Sequence, residues 1–506
     1  MISSWYRVIQ AGSNMNEKKE TSYRRSRMNA VSIELKEQVQ ENHIIFHWEG
    51  DVETKVFHGK FLEKWAELSA EGSFRLFVGM GNSTEKESGK VREICAAAAK
   101  EMKEREIREF SCDMSKIVKS WGEEALKEAA EGIVLGLYAV ERLSDQEDKS
   151  WKVTFIGVRE SENAKALLRE GQVLSGAVIF ARDMVNRPAN YLRPKDFAAE
   201  IAALMEGLPV ETEVLSLERL REEGMGAYLA VGESSAYPPC MLVLRYLPKK
   251  VHLENEKSQT DEDITALVGK GVMCDTGGYC LKGSQSMAGI KGDMAGGAAV
   301  AAAIYALAKN GAPGNVIGVI PMCENRIAPG SMIPGDVVKA GDGTLVEILN
   351  TDAEGRLILA DAVSYAVRRE HAEKVVDIAT LTGAMARMFG SSISGMMAEG
   401  EEFCQNFLAA AGRSGERFCR IPWYKEHEKM IESDMADIKN VSSACPAITA
   451  GLFIRHFAAG KPWIHLDIAG TADVSEPVFA YQEKRATGVG VMTLYELCRK
   501  QGKEER

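Results

Sequence analysis

The alternation of two kinds of segment between residues 264 and 379 constrains the fold of this chain most strongly. Short runs of aliphatic and β-branched residues, typical of buried strands, alternate with Ala-rich segments of helical spacing. Strands are predicted at Ile264–Val268, Asn315–Pro321, Leu345–Leu349 and Lys374–Ala379, and helices at Met294–Lys309 and Gly355–Arg369. This order predicts an α/β fold with a doubly wound, mostly parallel sheet flanked by helices, in which ligands bind at the carboxyl ends of the strands.

A second α/β pattern precedes the first and indicates a separate, smaller domain. Its predicted strands are Ile44–His47, Arg75–Val78 and Lys152–Val158, and its predicted helices are Val91–Glu104 and Gly122–Tyr138. The next helix, Gly171–Asn186, stops before Pro188, because proline disfavours continuation of a helix. We therefore predict a flexible tail at 1–30, an N-terminal α/β domain at 31–170 and a larger domain at 171–506, with the polar run 248–263 as an exposed loop.

Charge and residue usage exclude several classes of protein. Lys and Arg number 62 against 73 Asp and Glu, and the net charge of −11 opposes a dedicated nucleic-acid binder. The apolar run 294–308 is shorter than the ~18 residues of a membrane span, so we expect a buried helix. Ten scattered cysteines without a Cys-x-x-Cys pair favour the reduced thiols of a cytoplasmic protein. In the tail, frequent Arg and Ser leave a transit peptide as an alternative.

Seven charged residues cluster at or after the predicted strand ends. They are Lys270, Asp275, Lys282, Asp293, Asp352, Glu354 and Arg356. Taken singly, Asp293 and Asp352 fit helix N-caps and Asp275 fits a turn residue. In an extended segment, positions i and i+2 project to one side, so Asp352, Glu354 and Arg356 are predicted to share one pocket.

The charge of this cluster favours a site for two divalent metal ions. Four carboxylates carry a charge of −4, which two divalent ions balance. Bridged ions ~3.5–4 Å apart acidify a shared water and so generate a hydroxide nucleophile. Lys282 and Arg356 then remain to polarise a carbonyl and to stabilise an oxyanion. Oxygen ligands suit Mn or Mg as well as Zn, and the same carboxylates leave a two-metal phosphoesterase open.

The segment Asn350–Leu357 (NTDAEGRL) resembles, without a change, the signature octapeptide of the leucyl aminopeptidase family, the M17 cytosol aminopeptidases. Val268–Gly271 and Asp275–Gly278 resemble the other metal-binding segment of that family. Further similar segments are Asn186–Pro194, Cys323–Asn325, Pro334–Val337, Ala379–Ala384, Ser433–Asn440 and Lys461–Thr471. The resemblance covers residues 171–490 and implies that 171–506 is the catalytic metallopeptidase domain.

The resemblance also implies a role for each residue of the cluster. Lys270 and Asp293 would bind one metal ion, Asp352 the other, and Asp275 and Glu354 both. Lys282 and Arg356 would be the catalytic residues, with a bicarbonate ion at Arg356 as general base.

At the level of the whole protein, the resemblance implies a homohexamer with two divalent metal ions per subunit, Mn or Zn. It would release neutral, leucine-like residues from short peptides that have a free N-terminus. Some members of the family also act on DNA, which leaves a DNA-binding accessory protein as an alternative.

The sequence departs from the family pattern near these residues without removing a metal ligand. Cys274, Gly283, Ile290 and Gly292 stand where Phe, Pro, Met and an aromatic residue are usual, and 442–445 replaces a glycine-rich stretch. Cys274 is interpreted as a packing residue, with a soft metal ligand as the alternative. The departures leave the preferred substrate side chain open.

Overall fold

A computed structural model describes residues 30–37, 39–51, 55–70, 72–140, 150–248 and 264–499. The predicted tail at 1–30 and the predicted loop at 248–263 therefore lie almost entirely outside the described residues. The chain divides into two compact units, the first built mainly from residues before Ala177 and the second mainly from Ala177 onward. The predicted domain limits at 30/31 and 170/171 stay predictions.

The first unit is a mostly parallel sheet with helices. Its strands are β1 (Val31–Leu35), β2 (His43–His47), β3 (Lys64–Leu68), β4 (Phe74–Gly79), β5 (Glu109–Asp113) and β6 (Trp151–Ile156). Its helices are α1 (Lys90–Glu104), α2 (Ser115–Trp121), α3 (Ala125–Leu137) and the first part of α4 (Glu162–Asn186). The strand order is β1-β6-β5-β2-β4-β3, and β3 pairs with β4 in the antiparallel direction. This confirms the α/β pattern predicted for residues 31–170, although α4 begins at Glu162 rather than Gly171.

The second unit has more elements. Its strands are β7 (Glu211–Leu215), β8 (Cys240–Tyr246), β9 (Thr265–Gly269), β10 (Gly271–Asp275), β11 (Val316–Asn325), β12 (Val337–Lys339), β13 (Leu345–Glu347), β14 (Lys374–Ala379), β15 (Ser394–Glu399), β16 (Phe418–Arg420), β17 (Ile438–Lys439), β18 (Trp463–Asp467), β19 (Asp473–Val474) and β20 (Arg485–Ala486). Its helices are α5 (Pro194–Met205), α6 (Leu217–Glu222), α7 (Gly226–Gly232), α8 (Ser284–Met287), α9 (Ala295–Lys309), α10 (Glu354–Arg368), α11 (Gly383–Phe389), α12 (Glu401–Ser414), α13 (Lys425–Glu428), α14 (Pro446–His456) and α15 (Val491–Cys498).

The main sheet of the second unit has a parallel centre and antiparallel margins. Its order is β16-β15-β18-β14-β9-β11-β8-β7, with β10 beside β11. Strands β18, β14, β9, β11 and β10 run parallel. Their residues are almost all buried, as expected for parallel strands whose two faces are covered by helices. Their carboxyl ends therefore meet at one edge of the sheet, as the predicted doubly wound fold requires.

The predicted strand Leu345–Leu349 is placed differently from our expectation. It forms as β13 in a separate three-stranded sheet, β12-β13-β17, and not in the main sheet. Leu345 and Leu349 are exposed whereas Val346 and Ile348 are buried. This alternation is typical of a strand with one solvent-exposed face. In the main sheet β14 pairs directly with β9. The segment 350–356 consequently reaches the sheet edge from a small neighbouring sheet.

Helix α9 packs closely on the centre of the main sheet. The stretch Ile290–Lys309 is long and apolar enough to span a membrane, and 72% of its most apolar window is buried in the protein. The prediction of a buried helix at 294–308 is thus confirmed. A Cβ atom at Gly296 would overlap the carbonyl oxygen of Ile378 on β14, so the absence of a side chain permits this approach. All ten cysteines are free thiols, and most of them are buried.

We predict opposite effects for two glycine-to-alanine substitutions in helices. Gly296→Ala forces α9 away from β14 and lowers the free energy of unfolding by about 2–3 kcal/mol. Gly412→Ala in α12, where a Cβ atom meets nothing within 4 Å, raises it by up to ~1 kcal/mol through helix propensity. Urea denaturation followed by circular dichroism measures both variants. Equal stabilities would contradict the close packing of α9 on β14.

Candidate metal centre

Asp275 begins the candidate site at the carboxyl end of β10. Its Oδ1 accepts hydrogen bonds from the backbone N–H of Gly277 at 3.0 Å and from Asn325 Nδ2 at 2.9 Å. Gly277 and Gly278 have φ of +85° and +59°, which turn the chain sharply. Asp275 is therefore a turn residue, which confirms that interpretation from the sequence analysis. Its Oδ2 also lies 2.7 Å from Lys282 Nζ, so the carboxylate reaches the charged cluster as well.

Lys270 is the central cation of the cluster, and its side chain is only 3% exposed. Its Nζ donates a hydrogen bond to Asp293 Oδ1 at 2.7 Å and lies 2.8 Å from Glu354 Oε1. It also donates to the carbonyl oxygen of Thr380 at 3.2 Å. A Cβ atom at Gly355 would overlap the end of the Lys270 side chain, so a side chain there would displace Lys270 from its present position. Lys270 thus joins three separate segments of the chain.

The two N-cap interpretations of the aspartates are wrong. The N-cap of α9 is Met294 and that of α10 is Ala353, and neither cap side chain accepts a hydrogen bond. Asp293 instead pairs with Lys270, and Asp352 forms a close ion pair with Lys282. Both aspartates consequently face the cluster rather than a helix terminus.

Burial and mutual repulsion dominate the electrostatics of the carboxylates. Burial raises the pKa of Asp293, Glu354 and Asp352, and the negative charge of Asp275 raises each of them further. Burial alone would lower the pKa of Lys270, but Asp293, Glu354 and Asp275 raise it above its ordinary value. The cluster therefore demands positive charge, which the two lysines supply in part.

Arg356 is buried beside the cluster but points to a different partner. Its Nη1 donates a hydrogen bond to the carbonyl oxygen of Asn440 at 2.7 Å, and its Nε has no hydrogen-bond partner among the described residues. Burial lowers the pKa of Arg356 to about 10, while the charge of Glu354 opposes that shift. The expected i, i+2 arrangement is wrong, because Glu354 and Arg356 both belong to α10 and project from different sides.

The donor atoms of the cluster fit divalent metal ions. Asp275, Asp293 and Glu354 each offer one oxygen, and these oxygens lie within 4.8 Å of one another. The Oε2 atom of Glu354 is buried without a hydrogen-bond partner in the described part of the chain. A buried carboxylate oxygen with no donor is costly, and a cation would compensate it. Such oxygen ligands suit Mn, Mg and Zn.

Several supporting residues were not assigned a role from the sequence. Thr380 Oγ1 donates to Asp293 Oδ1 at 2.7 Å, and Asn325 Nδ2 donates to Asp275. Asn440 binds the backbone of Leu349 and Asn350 through its side-chain amide. Thr380 and Asn325 could have been found from the sequence, because each is a polar residue at the end of a strand of apolar residues. Asn440 follows a two-residue strand and offered no such signal.

Comparisons with known proteins identify the family of this chain. The cytosol aminopeptidase family, catalytic domain, matches residues 179–495, and the N-terminal domain of the same family matches residues 69–146. A "probable cytosol aminopeptidase" of Clostridium perfringens is 36% identical over 435 residues, covering 85% of this chain and 86% of that protein. One of Alkaliphilus metalliredigens is 35% identical over 434 residues, covering 84% of each.

A solved structure is also similar over most of the chain. It is that of the bottromycin maturation enzyme BotP in complex with Mn, with a TM-score of 0.81 and 33% sequence identity. The match covers 91% of this chain and 99% of that one. Since the catalytic-domain match alone spans more than half of the sequence, and relatives above 30% identity cover most of it, the chain belongs to the cytosol aminopeptidase family.

Proposed function

We propose that this chain, a metal-dependent aminopeptidase by its family, uses two divalent ions to release neutral, leucine-like residues from peptides. The observation that carries the proposal is the convergence of Asp275, Asp293 and Glu354, whose oxygens lie within 4.8 Å of one another around Lys270. Asp352 joins them through Lys282. The four carboxylates together carry a charge of −4, which two divalent ions would balance.

The resemblance to the family implies how the ligands would divide between the two ions. Lys270 and Asp293, which lie 2.7 Å apart, would hold one ion, and Asp352 the other. Asp275, which lies 2.7 Å from Lys282, and Glu354, which lies 2.8 Å from Lys270, would contact both ions. Lys270 binds a metal only as a neutral amine, so metal binding must release its proton. The Mn complex of BotP favours manganese among the candidates, with zinc and magnesium as alternatives.

The remaining cations would act on the substrate. When bound, the two ions acidify a water nucleophile and polarise the scissile carbonyl. Lys282 Nζ, held 2.7 Å from Asp275 Oδ2, would donate to the carbonyl oxygen as negative charge develops on it. Arg356, buried and bonded through Nη1 to Asn440, would hold a bicarbonate ion that takes up the proton of the nucleophile. Its Nε, buried and without a hydrogen-bond partner among the described residues, would donate to that anion.

The substrates proposed here are short peptides with a free N-terminus. The family assignment supports peptide substrates, and a free α-amine would complete the coordination of a metal ion. We further propose a cytoplasmic homohexamer, on the basis of the resemblance stated above and of the name shared by the relatives.

Removing the charge of the metal ligand Glu354 or of the catalytic residue Lys282 should abolish most of the activity. Glu354→Gln and Lys282→Ala are each expected to lower kcat/KM for leucyl-p-nitroanilide by at least ~10²-fold in the presence of Mn²⁺. Glu370→Gln is the matched control, since Glu370 is also a buried carboxylate and pairs with Arg245 at 2.6 Å. Full activity in either site variant would rule out the assignment. Turnover of p-nitrophenyl phosphate in its place would favour a phosphoesterase.

Binding of Mn²⁺ should stabilise the protein through Lys270. At a concentration of about 100 times Kd, Mn²⁺ is expected to add about 2.7 kcal/mol to the free energy of unfolding of chelator-treated protein. Gly355→Ala displaces the Lys270 side chain and should remove most of that gain, whereas Gly412→Ala should retain it. Thermal melts with and without Mn²⁺ measure the effect. An equal gain in both variants would exclude Lys270 as a metal ligand.

A further inference from the structure

Thr380 links the end of β14 to two of the proposed metal ligands. Its Oγ1 donates a hydrogen bond to Asp293 Oδ1 at 2.7 Å, and its carbonyl oxygen accepts one from Lys270 Nζ at 3.2 Å. The position of the Thr380 backbone therefore determines where both ligands are held. Thr380 lies after the last residue of β14, Ala379, so the ladder of the sheet does not fix it.

Within the short connection 380–382 between β14 and α11, Leu381 and Thr382 are held by the buried side chain of Asp467 at the end of β18. Asp467 lies opposite Ala379 in the sheet and is 1% exposed. Its Oδ2 accepts a hydrogen bond from Thr382 Oγ1 at 2.6 Å. Its Oδ1 accepts from the backbone N–H of Leu381 at 3.3 Å and of Thr382 at 3.4 Å. One carboxylate thus organises the two residues that follow Thr380.

The hydrogen-bond pattern requires an aspartate rather than an asparagine at position 467. Oδ1 also accepts from the backbone N–H of Ala469 at 3.1 Å, so both oxygens face donors. An amide has one acceptor oxygen and one donor nitrogen, and it loses part of this pattern in either orientation. The Thr382 hydroxyl meanwhile caps α11 by accepting from Met385 N at 3.2 Å.

We propose that Asp467 is a positioning residue of the metal centre. By holding Leu381 and Thr382, it fixes the Thr380 backbone, and Thr380 in turn orients Asp293 and Lys270. The inference rests on the proposed function, because it takes these two residues as ligands. Groups that orient metal ligands commonly contribute ~10–100-fold to metal affinity.

The test compares Mn²⁺ affinity, measured by calorimetry on the full-length metal-free protein, in four variants. Asp467→Asn and Thr382→Val should each weaken Mn²⁺ binding by about 10–100-fold. Thr382→Ser keeps the hydroxyl and should bind Mn²⁺ like the wild type. Asp361→Asn is the matched control, since Asp361 is also 1% exposed and accepts from Tyr228 N at 2.8 Å and Gly341 N at 2.7 Å on other segments.

Hydrogen–deuterium exchange of residues 380–383 in the metal-free protein gives a second measurement. Faster exchange there in Asp467→Asn, but not in Asp361→Asn, supports positioning rather than general destabilisation. Wild-type Mn²⁺ affinity in Asp467→Asn, or equal weakening in Asp361→Asn, overturns the inference while the proposed function stands. If the wild-type protein binds none of Mn²⁺, Zn²⁺ and Mg²⁺, the proposed function fails and the inference fails with it.

Discussion

Neutralisation of buried negative charge at one edge of the main sheet is the constraint on which the site depends. Asp275 ends β10, Asp293 precedes α9 and Glu354 begins α10, and their oxygens converge within 4.8 Å. In a buried environment each negative charge raises the pKa of its neighbours, so the cluster persists only with cations beside it. Lys270 and Lys282 supply two positive charges in this structure. In the proposed metal-bound state the ions would supply the positive charge, and Lys270 would be a neutral ligand.

Close backbone packing allows these charges to meet. Gly296 lets α9 approach β14, and Gly355 leaves space for the Lys270 side chain. The polar residues at the strand ends then hold the charged ones, as Asn325 holds Asp275 and Thr380 holds Asp293. The fold contributes to function here by fixing the carboxylates before any substrate arrives, which lowers the cost of ordering them on binding.

Much of the fold was predictable because the main strands and helices carry strong local patterns. The strand Lys374–Ala379 was predicted with its observed limits, and helices α9 and α10 within one residue. The sheet that a strand joins was not predictable in the same way. The local pattern of Leu345–Leu349 indicates a strand but does not specify its pairing partners. The long-range pairing of β14 with β9 decides that it lies in a second sheet.

In the candidate site, too, the features set by local sequence were predictable and those set by long-range contacts were not. Charged residues at consecutive strand ends predicted that Lys270, Asp275 and Glu354 would meet, and the structure brings them together. The orientation of Arg356 was missed, because an extended segment was assumed for 352–356, whereas Glu354 and Arg356 both lie in the first turn of α10. The contributions of Asn440 and Asp467 depend on contacts between segments far apart in sequence, which no local pattern contains.

Anomalous diffraction at the manganese edge, from crystals grown with Mn²⁺, tests the central claim most directly. The account predicts two peaks per chain that share Asp275 and Glu354, one beside Lys270 and Asp293 and the other beside Asp352. A single peak, or an intact ion pair between Lys270 and Asp293 with manganese bound elsewhere, would contradict it.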